Sequence, residues 1–505
     1  MTTRYLPEFD EFCALAGQGN LIPVYREILA DLDTPVSAFL KLDDGGDAFL
    51  LESVEGGEKW ARYSFLGTGP ARILTCANGV VSEGPPGGPF ATRPTSDPLG
   101  EARTLLAAYR PVPVAGLPRF AGGLVGYLGY DLVRTFEQLP EIARDDLRHP
   151  DYYLMLVDRL VIFDTVAQTM KVVAHAHVAP GADLRAAYDA ACARVDAVVE
   201  RLRQPLSLPA PLPAAEGPPV VRSNFEPTAY EHIVERAKEY IRAGDVIQVV
   251  LAQRFQCALR AHPFDIYRCL RTFNPSPYMF FLRTGPRIVL GASPEVMARL
   301  EGRELTVRPI AGTRPRGTDE KQDRELEQEL AADPKEIAEH IMLVDLGRND
   351  VGRVSRVGTV EVTARMVIER YSHVMHLVSN VRGQLADGLD CFDAFRATFP
   401  AGTLSGAPKV RAMQIIEELE PVRRGIYAGC AGYFAANGTM DTCILLRTGL
   451  VKDNTLYVQA GVGVVADSDL EAEYQESVLK ARALVRAAEE AVRFASARNS
   501  GNVRR

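Results

Sequence analysis

The sequence predicts an α+β fold built on antiparallel sheets, because its strand-like segments arrive in pairs between helices and not singly. Turn signals support the pairing: Asn78-Gly79 and Glu301-Gly302 each separate two apolar, β-rich runs. A length of 505 residues exceeds what one hydrophobic core usually serves, so two domains or one large interwoven body are expected.

In chain order, the first half holds AFLLESV (48–54), ARYSFLG (61–67), ARILTCANGVVSEG (71–84) and LVIFDTVAQTMKVVAHA (160–176), all with strand character. A helix-like stretch over 182–203 follows. Residues 201–221, RLRQPLSLPAPLPAAEGPPVV, are rich in Pro and Ala and form the best linker in the chain. Beyond it, Tyr230, Ile233, Val234, Ala237, Tyr240 and Ile241 share one helical face, which ends near Gly244. The strand VIQVVLAQRF (246–255) comes next. The run RIVLGASPEVMARLEGRELTVRPIAGT (287–313) then reads as a hairpin turning at Glu301-Gly302.

Composition narrows the function classes. Hydrophobic residues at 47% and charged residues at 24% are ordinary for a soluble globular protein, and a net charge of −8 argues against nucleic-acid or anionic-membrane partners. No apolar run reaches the length of a membrane span. The acidic start MTTRYLPEFDEF lacks the basic-then-apolar order of a signal peptide. The eight cysteines include no CxxC pair and the eight histidines no HExxH, which fits reduced thiols and gives no zinc site. A cytoplasmic protein is expected.

Two helices carry the candidate chemistry. In DPKEIAEHIMLVDLGRND (333–350), Ile337, Ile341 and Val344 recur at helical spacing, and the half from Ile341 to Leu346 should be buried. Glu339 stands at the edge of that half, where a carboxylate is costly without a cation or hydrogen bonds. A lone glutamate of this kind is more often simply ion-paired. A second helix repeats the arrangement near the end of the chain. There Ser468 and Glu471 form a capping box, Tyr474, Val478, Ala481, Val485, Ala488 and Val492 make the apolar stripe, and Glu473, Glu476 and Lys480 lie together off its centre. Glu476 and Lys480 alone would read as a surface ion pair worth a few tenths of a kcal/mol. Two half-buried helical glutamates can instead hold a hard cation such as Mg²⁺, which keeps open positions for substrate.

Two glycine motifs suggest nucleotides and fail on context. Gly461-Val-Gly463-Val-Val-Ala466 matches a dinucleotide fingerprint, the basis of a rival dehydrogenase hypothesis, but no second strand follows the helix to supply the ribose-binding acid. AGTLSGAPK (401–409) resembles a phosphate loop, yet Pro408 precedes Lys409 and no Gly-Lys-Ser/Thr is present.

Read in order, GDVIQVVLAQRF (244–255), GASPE (291–295), RPIAGTRPRG (308–317), EHIMLVDLGRND (339–350), VMHLVS (374–379), FPAGTLSGAPK (399–409), GIYAGCAGYF (425–434) and QAGVGVVADSD with EYQESVLKARAL (459–484) resemble the chorismate-utilising enzymes, and within them the large subunits of anthranilate synthases. The resemblance covers about residues 25–490. It implies large antiparallel sheets packed on each other and flanked by helices, a four-layer α/β/β/α arrangement. It also implies an N-terminal regulatory region over 1–200, a linker over 201–222, a chorismate-binding catalytic region over 223–495 and a disordered tail over 496–505.

The resemblance assigns roles residue by residue. Glu339 and Glu476 match the family's magnesium ligands. Glu295 matches the acid that protonates the departing ring hydroxyl, His376 the histidine that assists pyruvate elimination, and Thr403, Gly312 and Thr313 groups that hydrogen-bond substrate. Arg447 matches the clamp on the enolpyruvyl carboxylate, a place where a planar bidentate donor suits the geometry. Tyr427 and Lys480 match its neighbours, and Gly461 and Gly463 match backbone donors to a carboxylate. Gln248 stands where water-adding relatives carry lysine, and Ala311 where aminodeoxychorismate synthases typically carry a lysine nucleophile. The aminodeoxychorismate synthase large subunit is the nearest alternative, and an inactive chorismate- or tryptophan-binding regulator is the alternative from another class.

LLES (50–53) and NPSPYMFF (274–281) are similar to the segments that bind tryptophan as feedback inhibitor. Glu52, Ser53, Pro277, Tyr278 and Met279, with Cys443 near, would form that site. The chain shows no glutaminase signature, so the resemblance implies a hetero-oligomer in which ammonia comes from a glutamine amidotransferase subunit.

Overall fold

The computed structural model describes residues 4–54, 62–210, 212, 219–371 and 374–499. Among these, the strands assemble into two twelve-stranded sheets. Every pairing between the named strands is antiparallel, as the paired arrangement of strand segments predicts; an antiparallel neighbour can be reached through a short turn, whereas a parallel one needs a long crossover.

The first sheet runs from Leu21–Leu29 through Thr169–His177, Arg159–Asp164, Tyr63–Thr68 and Ala48–Glu52 to Tyr278–Thr284. It then continues through Arg287–Ser293, Thr448–Lys452, Thr455–Val464 and Gln248–Ala258. The second joins Gly123–Leu128, Tyr152–Val157 and Arg72–Ala77 to Cys430–Ala435, Met440–Ile444, Val296–Glu301, Glu304–Val307, Val374–Gln384 and Ile310–Pro315. Each sheet therefore takes strands from both sides of the Pro-rich segment, and of the two organisations that the length permits this is the interwoven body. The described residues over 203–221 carry no helix or strand.

Alternation along the strands builds the layers. On Tyr278–Thr284, Met279 and Phe281 pack toward helices with Phe39, Phe264 and Leu270, while Phe280 and Leu282 face the second sheet with Val125, Tyr433 and Cys443. The outer face of the second sheet is covered by Cys391–Thr398, whose Phe392 stacks on Phe434 at 4.9 Å. The order is helix, sheet, sheet, helix. No helix among the described residues is long and apolar enough to cross a membrane.

Three local expectations are corrected. The 287–313 segment is not one hairpin: Arg287–Ser293 lies in the first sheet and Val296–Glu301 in the second, so only Val296–Glu301 with Glu304–Val307 is a hairpin. Both runs are apolar because both lie inside the stack, and apolarity alone does not say which sheet a strand joins. In Pro334–Gly352 the buried line is His340, Leu343, Gly347, Asp350 and Val351, whereas Ile341 is 42% exposed. The final helix, Leu470–Asn499, is capped by Asp469, which accepts from Ala472 N at 2.9 Å, and not by Ser468, whose hydroxyl accepts from Val465 N. Its buried line is Ser477, Ala481, Leu484, Ala487 and Ala491, with Tyr474, Val478, Ala488 and Val492 on the flanks. Residues 496–499 of the expected tail belong to this helix, and 500–505 lie outside the described residues.

Candidate active site

Two chain crossovers between the sheets form the centre of the site. Arg287–Ser293 leaves the first sheet and Val296–Glu301 enters the second, with Pro294 and Glu295 between them. Met440–Ile444 leaves the second sheet and Thr448–Lys452 enters the first, with Arg447 at the corner. The corners are bonded to each other: Ile444 N donates to Glu295 O at 3.0 Å and Ala292 N to Arg447 O at 3.3 Å. Arg447 has φ +50°, a left-handed conformation uncommon for a side chain of its size, and such strain gathers at functional positions.

These corners open into a cavity of about 500 Å³. It brings together every residue expected at the reaction centre: Glu295, Thr403 and His376; Gln248, Gly312, Thr313, Tyr427, Arg447, Gly461, Gly463 and Lys480; and Glu339 and Glu476. The glycine-rich stretch lies within the strand Thr455–Val464 and not in a loop opening a helix, so the dinucleotide fingerprint has no structural counterpart. A Cβ on Gly461 would stand 2.8 Å from the backbone oxygen of Leu251, so the close approach of the neighbouring strand calls for glycine there. Pairing with Thr448–Lys452 ends at Val458, so from Gln459 onward that edge of the strand is unpaired among the described residues and borders the cavity. Unpaired strand amides can receive an anion. Lys409, the candidate phosphate-loop lysine, is instead bonded to Asp350 at 2.7 Å and to Thr398 O.

Burial sets the electrostatics of the crossover pair. Burial pushes the Glu295 carboxyl up to about 8, against the opposing pull of the Thr403 hydroxyl and the Arg447 guanidinium, so Glu295 is an acid at neutral pH. Burial likewise lowers the affinity of Arg447 for its proton, and Glu295 only partly opposes this. Among the described residues Arg447 makes no ion pair. A desolvated guanidinium beside an uncharged acid can receive an anion from outside the chain.

His376, on Val374–Gln384, is 5% exposed, and its Nδ1 lies 3.0 Å from both Gly312 O and Thr313 Oγ1. The carbonyl can only accept, so Nδ1 carries the proton and Nε2 is the basic nitrogen. Burial lowers the pKa of the ring, with Gly312 O opposing and Arg447 adding to the shift. His373 lies outside the described residues.

The other end of the cavity is acidic. Glu339 accepts from Gln248 Nε2 at 3.0 Å, and Glu476 is bonded to Lys480 at 2.8 Å, while Lys480 also donates to Gly461 O. Glu336 and Glu473 line the same wall. Burial raises the Glu473 carboxyl, with Ser468 opposing and Glu476 adding to the rise. The signal for Glu336 was present in the sequence: both helices carry Glu-x-x-Glu, and an i,i+3 pair shares one face. This all-carboxylate donor set suits a hard cation. Among the described residues no three His, Cys, Asp or Glu side chains converge to encage an ion, so a metal here would complete its shell with water and substrate oxygens.

A second cavity of about 560 Å³ lies between the sheets and gathers Glu52, Ser53, Pro277, Tyr278, Met279 and Cys443. Glu52 brings no free carboxylate to it. Its oxygens accept from Tyr267 Oη at 2.5 Å and Arg271 Nη2 at 2.9 Å, on the helix side of the strand. A one-residue alternation thus places Leu51 toward the cavity and the Glu52 side chain away from it. Asp441, bonded to Arg299 at 2.6 Å and Tyr278 Oη at 2.8 Å, forms a polar wall that was not anticipated.

Comparison with known proteins matches residues 47–486 to the family described as chorismate binding enzyme. The chain is 51% identical to anthranilate synthase component 1 of Pseudomonas aeruginosa, over 95% of this chain and 98% of that protein. It is 53% identical to the protein of the same name from Cereibacter sphaeroides, over 96% and 97%. Among solved structures it is similar to anthranilate synthase component I from Streptococcus pneumoniae, with a TM-score of 0.76 and 36% identity over 91% of this chain and 99% of that one. The menaquinone-specific isochorismate synthase from Escherichia coli shares the fold, with a TM-score of 0.67 at 20% identity over 95% and 98% of the two chains.

Proposed function

Because the chain belongs to the chorismate binding enzyme family, we propose that it is the large subunit of an anthranilate synthase, converting chorismate and ammonia to anthranilate and pyruvate. The observation that carries the reading is the half-buried Arg447, without an ion-pair partner among the described residues, beside Glu295, whose carboxyl is protonated at neutral pH. Chorismate carries two carboxylates and a hydroxyl that must depart. Arg447 binds the enolpyruvyl carboxylate, and Glu295 donates its proton to the departing hydroxyl, since a leaving hydroxide is otherwise too costly. His376 Nε2 takes the ring proton as pyruvate is eliminated. Glu339 and Glu476, with Glu336 and Glu473 beside them, would hold Mg²⁺, which supplies charge stabilisation to the ring carboxylate. Ala311 cannot form a covalent adduct and Gln248 cannot act as a base, which favours direct amination by ammonia over the outcomes known for relatives with lysine at those places.

Ammonia is delivered by a separate glutamine amidotransferase subunit. The relatives bear the name component 1, and seven of the eight cysteines are buried. With chorismate, Mg²⁺ and ammonium, the pure chain should generate anthranilate fluorescence; with glutamine alone it should not. Failure of the ammonium reaction overturns the assignment. Glu339→Gln should raise the Mg²⁺ needed for half-maximal rate about tenfold or more without lowering the melting temperature. Unchanged Mg²⁺ dependence would remove Glu339 from the metal site.

The inter-sheet cavity receives L-tryptophan as a feedback inhibitor. Ser53 offers a polar contact and Pro277 and Tyr278 pack against the indole, whereas the Met279 side chain, in register with Glu52, faces the helices. Coupling of about 1–3 kcal/mol to the reaction centre is typical of such devices. Ser53→Phe should leave the uninhibited rate close to normal and raise the tryptophan needed for half inhibition about tenfold or more. Absence of calorimetric tryptophan binding to the unsubstituted chain would refute this.

A further inference from the structure

Behind the reaction cavity lies an ion pair that the proposed chemistry does not use. Arg424 is 4% exposed and Glu420 is 3% exposed, and neither reaches the cavity. Arg424 Nε donates to Glu420 Oε2 at 2.9 Å and Nη2 to Oε1 at 2.5 Å. The rest of the fork reaches three separate walls. Nη1 donates to Leu404 O at 2.6 Å, beside Thr403, and Nη2 to Val250 O at 2.7 Å, on the strand that begins with Gln248. The guanidinium carbon stands 5.5 Å from the ring of Tyr427, whose backbone N donates to Arg424 O at 3.2 Å. Glu420 Oε1 accepts from Ala252 N at 2.9 Å, on the residue that pairs with Gly461.

The acceptors and the ring belong to segments that line the cavity: Val250, Leu404 and Tyr427 all border it. They are separated by up to 177 residues along the chain (427 − 250), so no local structure ties them together. We propose that Arg424 and Glu420 are positioning residues, which set the relative placement of the Gln248 strand, the Thr403 turn and Tyr427 for the reaction. A planar fork can satisfy acceptors in several directions at once, which a lysine cannot. The fork holds Leu404 beside Thr403, whose hydroxyl acts on the Glu295 carboxyl, so loss of the pair falls chiefly on turnover. This inference rests on the anthranilate synthase reading.

The test is the double variant Arg424→Met/Glu420→Gln, compared with the unsubstituted chain for anthranilate formation from chorismate and ammonium. Removing both charges leaves no unpaired buried ion, so unfolding should stay within about 5 °C of the parent. kcat should fall about 30-fold, as misplaced reacting groups do, while KM for chorismate changes less than about threefold. A folded double variant with unchanged kcat would make the pair purely structural and overturn the proposal, as would a loss confined to KM. If the double variant does not fold, Arg424→Lys keeps the charge but not the fork. It should lose about tenfold in kcat at nearly constant melting temperature, and an unchanged kcat again overturns the proposal. If the parent chain forms no anthranilate, the functional reading fails and not the pair. Deuterium exchange over 248–254 and 402–406 then decides: faster exchange in the variant supports the tie between the walls, and unchanged exchange refutes it.

Discussion

Glu295→Gln should lower kcat about 1,000-fold and at the same time make the folded protein more stable at neutral pH. Both effects follow from a carboxyl whose pKa burial raises from 4.5 to about 8. As general acid it is protonated below about 8, so the parent's turnover, normalised to free ammonia, should fall as pH rises past that value. Glutamine has no proton to give, and the variant should lack this limb. For stability, the unfolded chain releases the proton near 4.5 and the folded chain keeps it until about 8. Between those values the folded state binds more protons than the unfolded state, so the parent loses stability as pH rises through the window. At pH 7 the loss is about 3 kcal/mol, and the variant avoids it. The gain should vanish below about pH 4.5. Melting curves at pH 4.5 and 7 with a pH–rate profile check both parts. A variant within tenfold of the parent's kcat, or one less stable at pH 7, would exclude Glu295 as the acid.

Arg447→Met should lower kcat/KM for chorismate by roughly 100-fold or more, with most of the loss in KM, because a desolvated charge-assisted bond to a carboxylate is worth about 3 kcal/mol. The same substitution should raise the melting temperature, since Arg447 is half-buried, with its guanidinium desolvated and without an ion pair among the described residues. Methionine is no more strained than arginine at φ +50°, so the backbone contributes little to the difference. Arg447→Lys should recover only part of the affinity, because a point charge cannot make the two parallel bonds. A KM within threefold of the parent, or a variant less stable than the parent, would show that Arg447 serves the fold. Both substitutions are expected to stabilise the protein while disabling it, the signature of groups kept for chemistry at the expense of stability.

Much of the site was legible before the structure. The motif order named the residues now gathered around one cavity, from Gln248 to Lys480, because each motif carries its chemistry in a local pattern: a proline-glutamate corner, a glycine pair in a strand, a glutamate one turn from its neighbour. The antiparallel class followed from strands arriving in pairs, since pairing of neighbours along the chain is itself local. Glu336 was legible too, as the first member of a Glu-x-x-Glu pair, but a single glutamate on a charged helix gives no reason to select it.

What a linear pattern could not carry is which surface covers which face. Ile341 fits an apolar stripe, yet His340 and Leu343 are buried instead, because the position of the second sheet against Pro334–Gly352 decides the covered side. The 287–313 run has the apolarity of a hairpin, but burial on both faces looks the same in either sheet, and only assembly of the stack sends its two halves to different sheets. Asp469 and Ser468 are both competent caps, and the choice between them depends on where the preceding strand ends. The crossovers that bring Glu295 beside Arg447, and the Arg424 fork that ties three distant walls together, depend on contacts between segments far apart in the chain. Periodicity reports neighbours within about one turn or one strand pair, whereas these contacts exist only once the two sheets have closed on each other.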